Sequence, residues 1–552
     1  MRHSRLLPFL PALSLLGCVT STPEPTHPPA RPVELAAPAG DDWYRHAVFY
    51  EVFVRSFQDS NGDGKGDLPG LISRLDYLND GNPATTTDLG VDALWLMPVF
   101  ASPSYHGYDV TDYERIHPDY GTVADFERLC AEAHRRGMRI IIDLVLNHTS
   151  AQHPWFVESA SSPDAPKRDW YQWSPTNPGW RQPWDPFAQG VTWHERNGAY
   201  YYGVFWGGMP DLNLRTPAVR EEARRIATFW LERGADGFRL DAARYLVETG
   251  GGAGQADTPA THAFWKEFAA HVRQVKPDAV LVGENWTTTP LIASYYGSTA
   301  RVPGGDELPL NFNFPLAENI IDSIQEGSAQ GIATTLADMA RSYPAGVADA
   351  PFLSNHDGVR VATRLGGDAG KLANAAAVLL TLPGSPFLYY GEEVGLANGT
   401  THNDEAKRTP MPWNASAGGG FTTGSPWFGF SPGQASANVE AQARTDSSLL
   451  RRYQALVRTR QGSRALDRGG LTLLIPATHG APVLAFLRTW GEERVLVLHN
   501  LTDSRLTAGP FDVPGTTAEP LFTDSDVGAL SGGAGAWSVA LPARATGIWR
   551  LR

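Results

Sequence analysis

The sequence predicts an α/β protein: a (β/α)8 TIM barrel with a domain inserted after strand 3 and a C-terminal antiparallel β-sandwich. Three observations carry that reading. From Asp41 onward, short apolar β-rich runs alternate with amphipathic helical patterns, as in parallel strands buried on both faces between crossover helices. Most strand-to-strand intervals are about 30–50 residues, one β/α unit plus a loop. After Ser463 the helical period vanishes, and short runs such as Val483–Leu487 and Val495–Leu498 alternate with Gly, Pro, Asp and Thr turns, the pattern of antiparallel strands.

The elements follow in order. Residues 1–18 read as an export signal: Arg2 and Arg5 precede an apolar run, Leu6–Gly17, shorter than the roughly 20 residues that span a bilayer. That run ends Leu15-Leu16-Gly17-Cys18, which resembles the bacterial lipobox. The resemblance implies acylation of Cys18 and anchorage to the cell envelope. Val19, where Asp is absent, resembles outer-membrane sorting. Residues 19–40 hold six prolines from Thr20 onward and no apolar period, so they read as a tether. The barrel is assigned to 41–147 and 215–462. Its expected strands are Val48–Phe57, Ala93–Pro98, Arg139–Val145, Gly237–Asp241, Ala279–Glu284, Leu310–Phe314, Pro351–Asn355 and Pro386–Tyr390, with helices such as Val219–Arg233 and Thr261–Val275 between them. The interval between the third and fourth strands is about twice the others, and an inserted domain, 148–214, accounts for it. Residues 463–552 form the β-sandwich domain.

Charge and cysteine content narrow the function classes. Lys plus Arg number 46 and Asp plus Glu 59, a net charge of −13, and no basic cluster stands out. Nucleic acid is therefore not an expected partner. Two cysteines exclude a disulfide scaffold and a cysteine zinc cluster. With Cys18 acylated, Cys130 is left as an inert buried thiol in the helical stretch Asp125–Arg136.

Barrel enzymes carry their chemistry at the C-terminal ends of the strands. The third strand ends Asp143-Leu144-Val145-Leu146-Asn147-His148, the fourth Gly237-Phe238-Arg239-Leu240-Asp241, the fifth Leu281-Val282-Gly283-Glu284-Asn285, and the seventh Phe352-Leu353-Ser354-Asn355-His356-Asp357. Each delivers a carboxylate where its apolar run stops. Acids converging on one rim repel one another and lose hydration, a cost that points to function. Paired carboxylates without a metal-ligating histidine triad suit glycosidic bond cleavage: one protonates the leaving oxygen, the other attacks the oxocarbenium-like centre. Arg239 lies two residues before Asp241, on the same side of a strand, and its charge is expected to keep Asp241 ionised.

These four strand ends resemble, in order and content, the signature regions of the α-amylase family, glycoside hydrolase family thirteen. The resemblance implies Asp241 as nucleophile, Glu284 as general acid/base and Asp357 as transition-state stabiliser. It implies that Tyr108, in Tyr105-His106-Gly107-Tyr108-Asp109, stacks under the sugar, that His148 and His356 bond its hydroxyls, and that Arg239 orients Asp241. Asp143 looks like a structural partner of Arg239. The implied mechanism is retaining double displacement. Seven of the seventeen tryptophans lie between Trp155 and Trp206; most are expected to supply bulk to a small domain, and a minority to stack on sugars.

The loop Asp59-Ser60-Asn61-Gly62-Asp63-Gly64-Lys65-Gly66-Asp67 offers oxygen donors at alternate positions, as a hard cation prefers. It is not an EF-hand, because Gly70 stands at position twelve. Relatives of this family hold Ca²⁺ in the same loop. The resemblance implies a structural Ca²⁺ on Asp59, Asn61, Asp63, Asp67 and the carbonyl of Lys65. Met209-Pro210-Asp211-Leu212-Asn213 resembles neopullulanase-like members, and Arg408-Thr409-Pro410-Met411-Pro412-Trp413 the oligo-1,6-glucosidase side, which places the chain in the intermediate group. The expected activity is that of an α-amylase cutting internal α-1,4 bonds of starch or maltooligosaccharides, with Arg244 touching the acceptor-side sugar, in a monomer. The alternatives are an α-glucosidase, a 4-α-glucanotransferase, and a non-catalytic starch-binding lipoprotein.

Overall fold

The computed structural model describes residues 32–184, 190–300, 302–475, 481–533 and 535–552. The signal segment, Cys18 and the tether up to residue 31 lie outside the described residues. Eight parallel strand positions form the barrel: β1 (Phe49–Val52), β2 (Ala93–Leu96), β3 (Arg139–Leu144), β4 (Gly237–Leu240), β5 (Val280–Gly283), β6 (Leu310–Asn311), β7 (residues 350–352) and β8 (Phe387–Tyr389). The hydrogen-bonded order is β6-β5-β4-β3-β2-β1-β8. β7 closes the ring through single parallel bridges, Phe312 to Ala350 and Phe352 to Phe387.

Inward positions explain both stability and function. Phe49, Trp95, Ile141, Val282, Phe312, Phe352 and Phe387 fill the barrel as one buried cluster, with Phe49 and Phe387 stacked at 4.3 Å. Toward the C-terminal mouth the inward positions turn polar. Glu51 follows Phe49 by two residues, Asp143 follows Ile141, and Arg239 faces them from β4, all buried. The apolar layers hold the cylinder shut, and the charged layer above them is the floor of the site.

Helices cover the outside where the sequence pattern places them. Val123–Arg135 starts at a Thr122/Asp125 capping box and buries Phe126, Leu129, Cys130 and Ala133. Pro217–Glu232 and Pro259–Val275 both begin with proline in the first turn. The first strand is shorter than expected: after Val52 the chain turns into the short helix Val54–Phe57. This turn is buried throughout, Arg55 and Ser56 included, and Met411 N–H donates to the Ser56 carbonyl at 2.7 Å.

Within 148–214, the helix Pro154–Ser159 and a small antiparallel sheet, Trp173–Ser174, Trp193–Arg196 and Ala199–Tyr202, are packed by aromatic pairs such as Phe156–Trp173 and Trp180–Trp193. The C-terminal region begins with a short helix, Arg464–Arg468. It continues as two antiparallel sheets with a buried core between them that includes Leu496, Leu498, Phe511, Val539 and Leu541. Its edge holds a departure from the expected tether. Glu34 and Leu35 form a strand pairing antiparallel with Thr472 and Leu471. Residues 33–40 are thus part of the folded body rather than free of it.

Candidate active site

Strand register assembles the site. Arg239 on β4 lies directly across from Asp143 on β3 and from Val282 on β5; Leu240 pairs with Gly283. The next residues, Asp241 and Glu284, therefore leave adjacent strands side by side. The Arg239 guanidinium, fully buried, holds all three acids. Its Nη1 lies 2.9 Å from Asp143 Oδ1 and 2.8 Å from Asp241 Oδ1, and its Nη2 lies 2.9 Å from Glu284 Oε1. Such forked, charge-assisted bonds are a property of arginine that lysine lacks. Ala242 follows Asp241 in a left-handed conformation, φ +49°, unusual for a residue with a Cβ. That turn aims the Ala242 N–H at Glu284 Oε2, 3.0 Å away.

Asp357 leaves β7 on the other side of the mouth. Its Oδ1 accepts from Arg408 Nη2 at 3.0 Å, and its Oδ2 lies 3.0 Å from His356 Nε2. Asp241, Glu284, Asp357, Tyr108 and His148 all line one cavity of about 620 Å³, together with His106, Trp184, Phe205, Met209, Tyr245, Trp286, Asp404 and Arg408. That volume lies within the usual range for ligand sites. Tyr108 presents its ring there while its hydroxyl bonds Asp143 Oδ2 at 3.0 Å and His356 Nε2 at 2.6 Å. His148 Nε2 lies 3.2 Å from the Tyr108 carbonyl.

Burial and charge set the protonation states. Desolvation pushes Asp241 up to about 6, with Arg239 opposing it and Asp143 and Asp357 adding to it. Arg239 does not hold Asp241 as low as a dedicated partner would, because one cation is divided among three acids. Burial likewise raises Glu284 above the ordinary carboxylate range; Arg239 opposes, and Asp241 and Asp357 reinforce. Asp357 goes the other way: desolvation works to raise it, but His356 and then Arg408 hold it well below the usual range. Burial lowers His148 to about 3, so it is a neutral imidazole. The site therefore sets two acids that burial keeps protonated to higher pH, Asp241 and Glu284, beside one held ionised, Asp357, an arrangement suited to proton transfer beside a charged stabiliser.

Some residues stand elsewhere than expected. Arg244 does not line this cavity. It is drawn into a pair with Asp257 at 2.6 Å, and its Nη1 donates to the Trp286 carbonyl at 2.8 Å, so it braces the segment bearing Trp286. Trp184 is one of the minority of insertion tryptophans expected to face the sugar, whereas Trp286 is a wall residue outside that expectation. Trp286 is 54 % exposed and stacks on Phe314 at 4.7 Å; Trp184 is 44 % exposed and stacks on Phe205 at 5.3 Å. The position of Trp286, two residues after Glu284, was the available signal. Most other tryptophans of the insertion pack on one another, as the bulk argument expects.

The loop Asp59–Asp67 lies apart from the cavity residues. Asp59 Oδ1 accepts from the N–H groups of Asn61 and Gly62, and Asp59 Oδ2 from Gly64 N–H and the Thr422 hydroxyl. Asn61 and Asp63 accept from N–H groups two residues on, and Asp67 accepts from Gly70 N–H and Ser60. At Gly64, φ is +87° and a Cβ would stand 1.8 Å from the Ser425 carbonyl oxygen, so only glycine fits. The donors are hard oxygens and suit Ca²⁺ by type. Among the described residues, no three His, Cys, Asp or Glu side chains are arranged to hold a metal ion. Lys65 turns its ammonium to Asp119 at 2.9 Å.

Comparison with known proteins agrees with this geometry. The chain is 42 % identical over 466 residues to alpha-amylase 3 of Dictyoglomus thermophilum, covering 84 % of this chain and 86 % of that one. It is 34 % identical to the oligo-1,6-glucosidase of Halalkalibacterium halodurans, covering 83 % and 90 %. The crystal structure of an alpha-amylase from H. orenii superimposes with a TM-score of 0.80 at 37 % identity, covering 92 % of this chain and all of that one. The model of the alpha-amylase catalytic domain matches residues 51–469. The chain belongs to the α-amylase family, glycoside hydrolase family thirteen, whose members act on α-glucans.

Proposed function

We propose that this enzyme is an α-amylase that cleaves internal α-1,4-glucosidic bonds of starch and maltooligosaccharides with retention. The observation that carries the proposal is the Arg239 fork, which binds Asp241 and Glu284 on one guanidinium beneath a cavity that Asp357 also enters. In the first step Glu284 donates its proton to the departing glycosidic oxygen while Asp241 Oδ attacks the anomeric carbon. The C–O bond breaks, and a glycosyl–Asp241 ester forms. In the second step Glu284 takes a proton from water, which attacks the same carbon and releases Asp241. Asp357, held ionised, stabilises the positive charge of each transition state. The Tyr108 ring packs under the reacting sugar, and His148 bonds its hydroxyls; His356, expected to do the same, is fully buried with both nitrogens engaged by Glu51, Tyr108 and Asp357, and acts through Asp357 instead. Trp286 and Trp184 offer apolar faces to neighbouring glucose units.

A second reading, an α-glucosidase or 4-α-glucanotransferase, has one observation in its favour. Arg408 donates to Asp357 and to the Tyr105 hydroxyl at 3.1 Å, and Asp404 enters the same cavity. Together they narrow the space beside Asp357. The oligo-1,6-glucosidase relative agrees with it. Products from maltoheptaose over time decide. Mixed short maltooligosaccharides from the first minutes support internal cutting; glucose alone, or chains longer than the substrate, overturns it in favour of glucosidase or transferase.

Two further parts belong to the proposal. A structural Ca²⁺ would be held by Asp59, Asn61, Asp63, Asp67 and the Lys65 carbonyl, a reading that rests on donor type and on the loop's resemblance to that of the family; it would cross-link the loop and take no part in bond cleavage. An acylated Cys18 would anchor the monomer to the outer membrane. Among the described residues no helix is long and apolar enough to cross a membrane. Mass spectrometry of the mature N-terminus tests the anchor: an unmodified N-terminus elsewhere than Cys18 would refute it.

A further inference from the structure

Glu51 is an acid in the middle of an otherwise apolar strand, Phe49-Tyr50-Glu51-Val52. It is 2 % exposed, and it is not among the residues lining the cavity. Its Oε1 lies 2.6 Å from His356 Nδ1. The other ring nitrogen, Nε2, lies 2.6 Å from the Tyr108 hydroxyl and 3.0 Å from Asp357 Oδ2. The imidazole is thus suspended between two carboxyl groups. A neutral ring has one N–H and would turn a lone pair toward one of those acids; only the doubly protonated ring donates to both.

Every element packed around the ring contributes to this balance. β1 supplies Glu51, and the segment after β2 supplies Tyr108. β3 supplies Asp143 and β4 supplies Arg239, both bonded to the Tyr108 hydroxyl. Trp95 closes one side edge-on at 5.6 Å. Arg408 donates its Nε to the His356 carbonyl at 3.0 Å and its Nη2 to Asp357. Desolvation opposes a charged ring, but Asp357 and Glu51 outweigh it and push His356 up to about 9.

We propose that Glu51 is a positioning residue of the glycosidase: by bonding Nδ1 it keeps His356 an imidazolium, and through His356 it keeps Asp357 ionised and aimed at the cavity. Glu51 touches neither substrate nor the reacting atoms and acts only through the ring. The catalytic part rests on the role given to Asp357 above, whereas the coupling of Glu51 to His356 stands without it.

Glu51→Gln keeps the shape and one acceptor oxygen but removes the charge. The experiment is a pH titration of ¹⁵N-histidine-labelled protein by NMR, with His356→Gln identifying the signal, beside pH profiles of kcat and KM. In the wild type both His356 nitrogens stay protonated beyond pH 8. In Glu51→Gln the His356 midpoint falls by about one to three units, the usual effect of removing a close opposite charge. The variant-to-wild-type ratio of kcat then drops about tenfold or more between pH 6 and 8.5, with KM little changed. Glu51→Asp restores part of the midpoint. A wild-type His356 neutral at pH 7 overturns the proposal, even if Glu51→Gln does not fold. So does a folded Glu51→Gln whose His356 titrates as in the wild type. A shifted midpoint without a pH-dependent loss of kcat upholds the coupling of Glu51 to His356 but overturns its positioning of Asp357, which Arg408 then holds alone.

Discussion

Arg239→Lys tests the shared guanidinium with the least disturbance of charge. Nη1 serves Asp143 and Asp241, while Nη2 alone serves Glu284 at 2.9 Å. A lysine places one nitrogen where Arg239 has two. It can stay with Asp143 and Asp241, and Glu284 then loses its charged donor. A hydrogen bond to a charged group contributes about 1.5–3 kcal/mol, so unfolding free energy falls by about that amount, read by urea denaturation at pH 7. If the same contact holds Glu284 in its reactive orientation, kcat falls by roughly 10- to 150-fold at 1.36 kcal/mol per decade. The sign of the pH effect follows from the same contact. Arg239 opposes the rise of the Glu284 pKa, so its loss moves that pKa further up. Glu284 then stays protonated to higher pH, and the alkaline limb of kcat/KM moves upward. A variant with wild-type kcat, stability and alkaline limb would refute the account of Arg239 as the common anchor.

Other outcomes follow from the same contacts. The acid limb of kcat/KM lies near pH 6 rather than near 4, because burial raises Asp241 to about 6 and its protonation removes the nucleophile; since the trio around Arg239 titrates together, the midpoint belongs to the cluster. A limb below pH 4.5 would contradict this. Ala242→Gly relieves a left-handed conformation, φ +49°, and leaves stability within about 1 kcal/mol. It also loosens the turn that holds Asp241 and the N–H on Glu284, so kcat drops about tenfold in steady-state assays; a rise in kcat would argue that the strained turn has no role. With a structural Ca²⁺ in the Asp59 loop, EDTA lowers the melting temperature and added Ca²⁺ restores it; an unchanged melt dismisses the metal.

The barrel was legible because buried parallel strands are short apolar runs at regular intervals, and because a carboxylate ending such a run is costly enough to stand out. Asp143, Asp241, Glu284 and Asp357 all revealed themselves in this way, and Arg239 through its spacing from Asp241. What stayed hidden depends on contacts across long sequence separations. Nothing local in Glu34–Leu35 marks a two-residue edge strand whose partner lies at Leu471 and Thr472. Arg244 follows the nucleophile closely, but Asp257 and the Trp286 carbonyl capture it. Val54–Phe57 reads as strand because it continues the apolar, β-branched and aromatic run of Val48–Phe53; burial under the Met411 segment lets a short helix follow the strand without a break in burial. Arg408 stood in a motif quoted for subgroup alone, and only the fold brings it to Asp357. Two residues outside the expected site carry a local signal: Glu51, a charge in mid-strand, and Trp286, two residues after Glu284.

The central claim is that Asp241 forms a covalent bond to glucose while Glu284 delivers the proton. An activated fluorinated α-glucosyl fluoride loses its anomeric fluoride to Asp241 and keeps the ring fluorine that slows deglycosylation, and so leaves one fluoroglucosyl mass on the protein. After peptic digestion and mass spectrometry, that mass is expected on the peptide carrying Asp241, and Asp241→Asn should abolish it. A label on Asp357 or Glu284, or turnover to an inverted product with no adduct, would contradict the mechanism at its root.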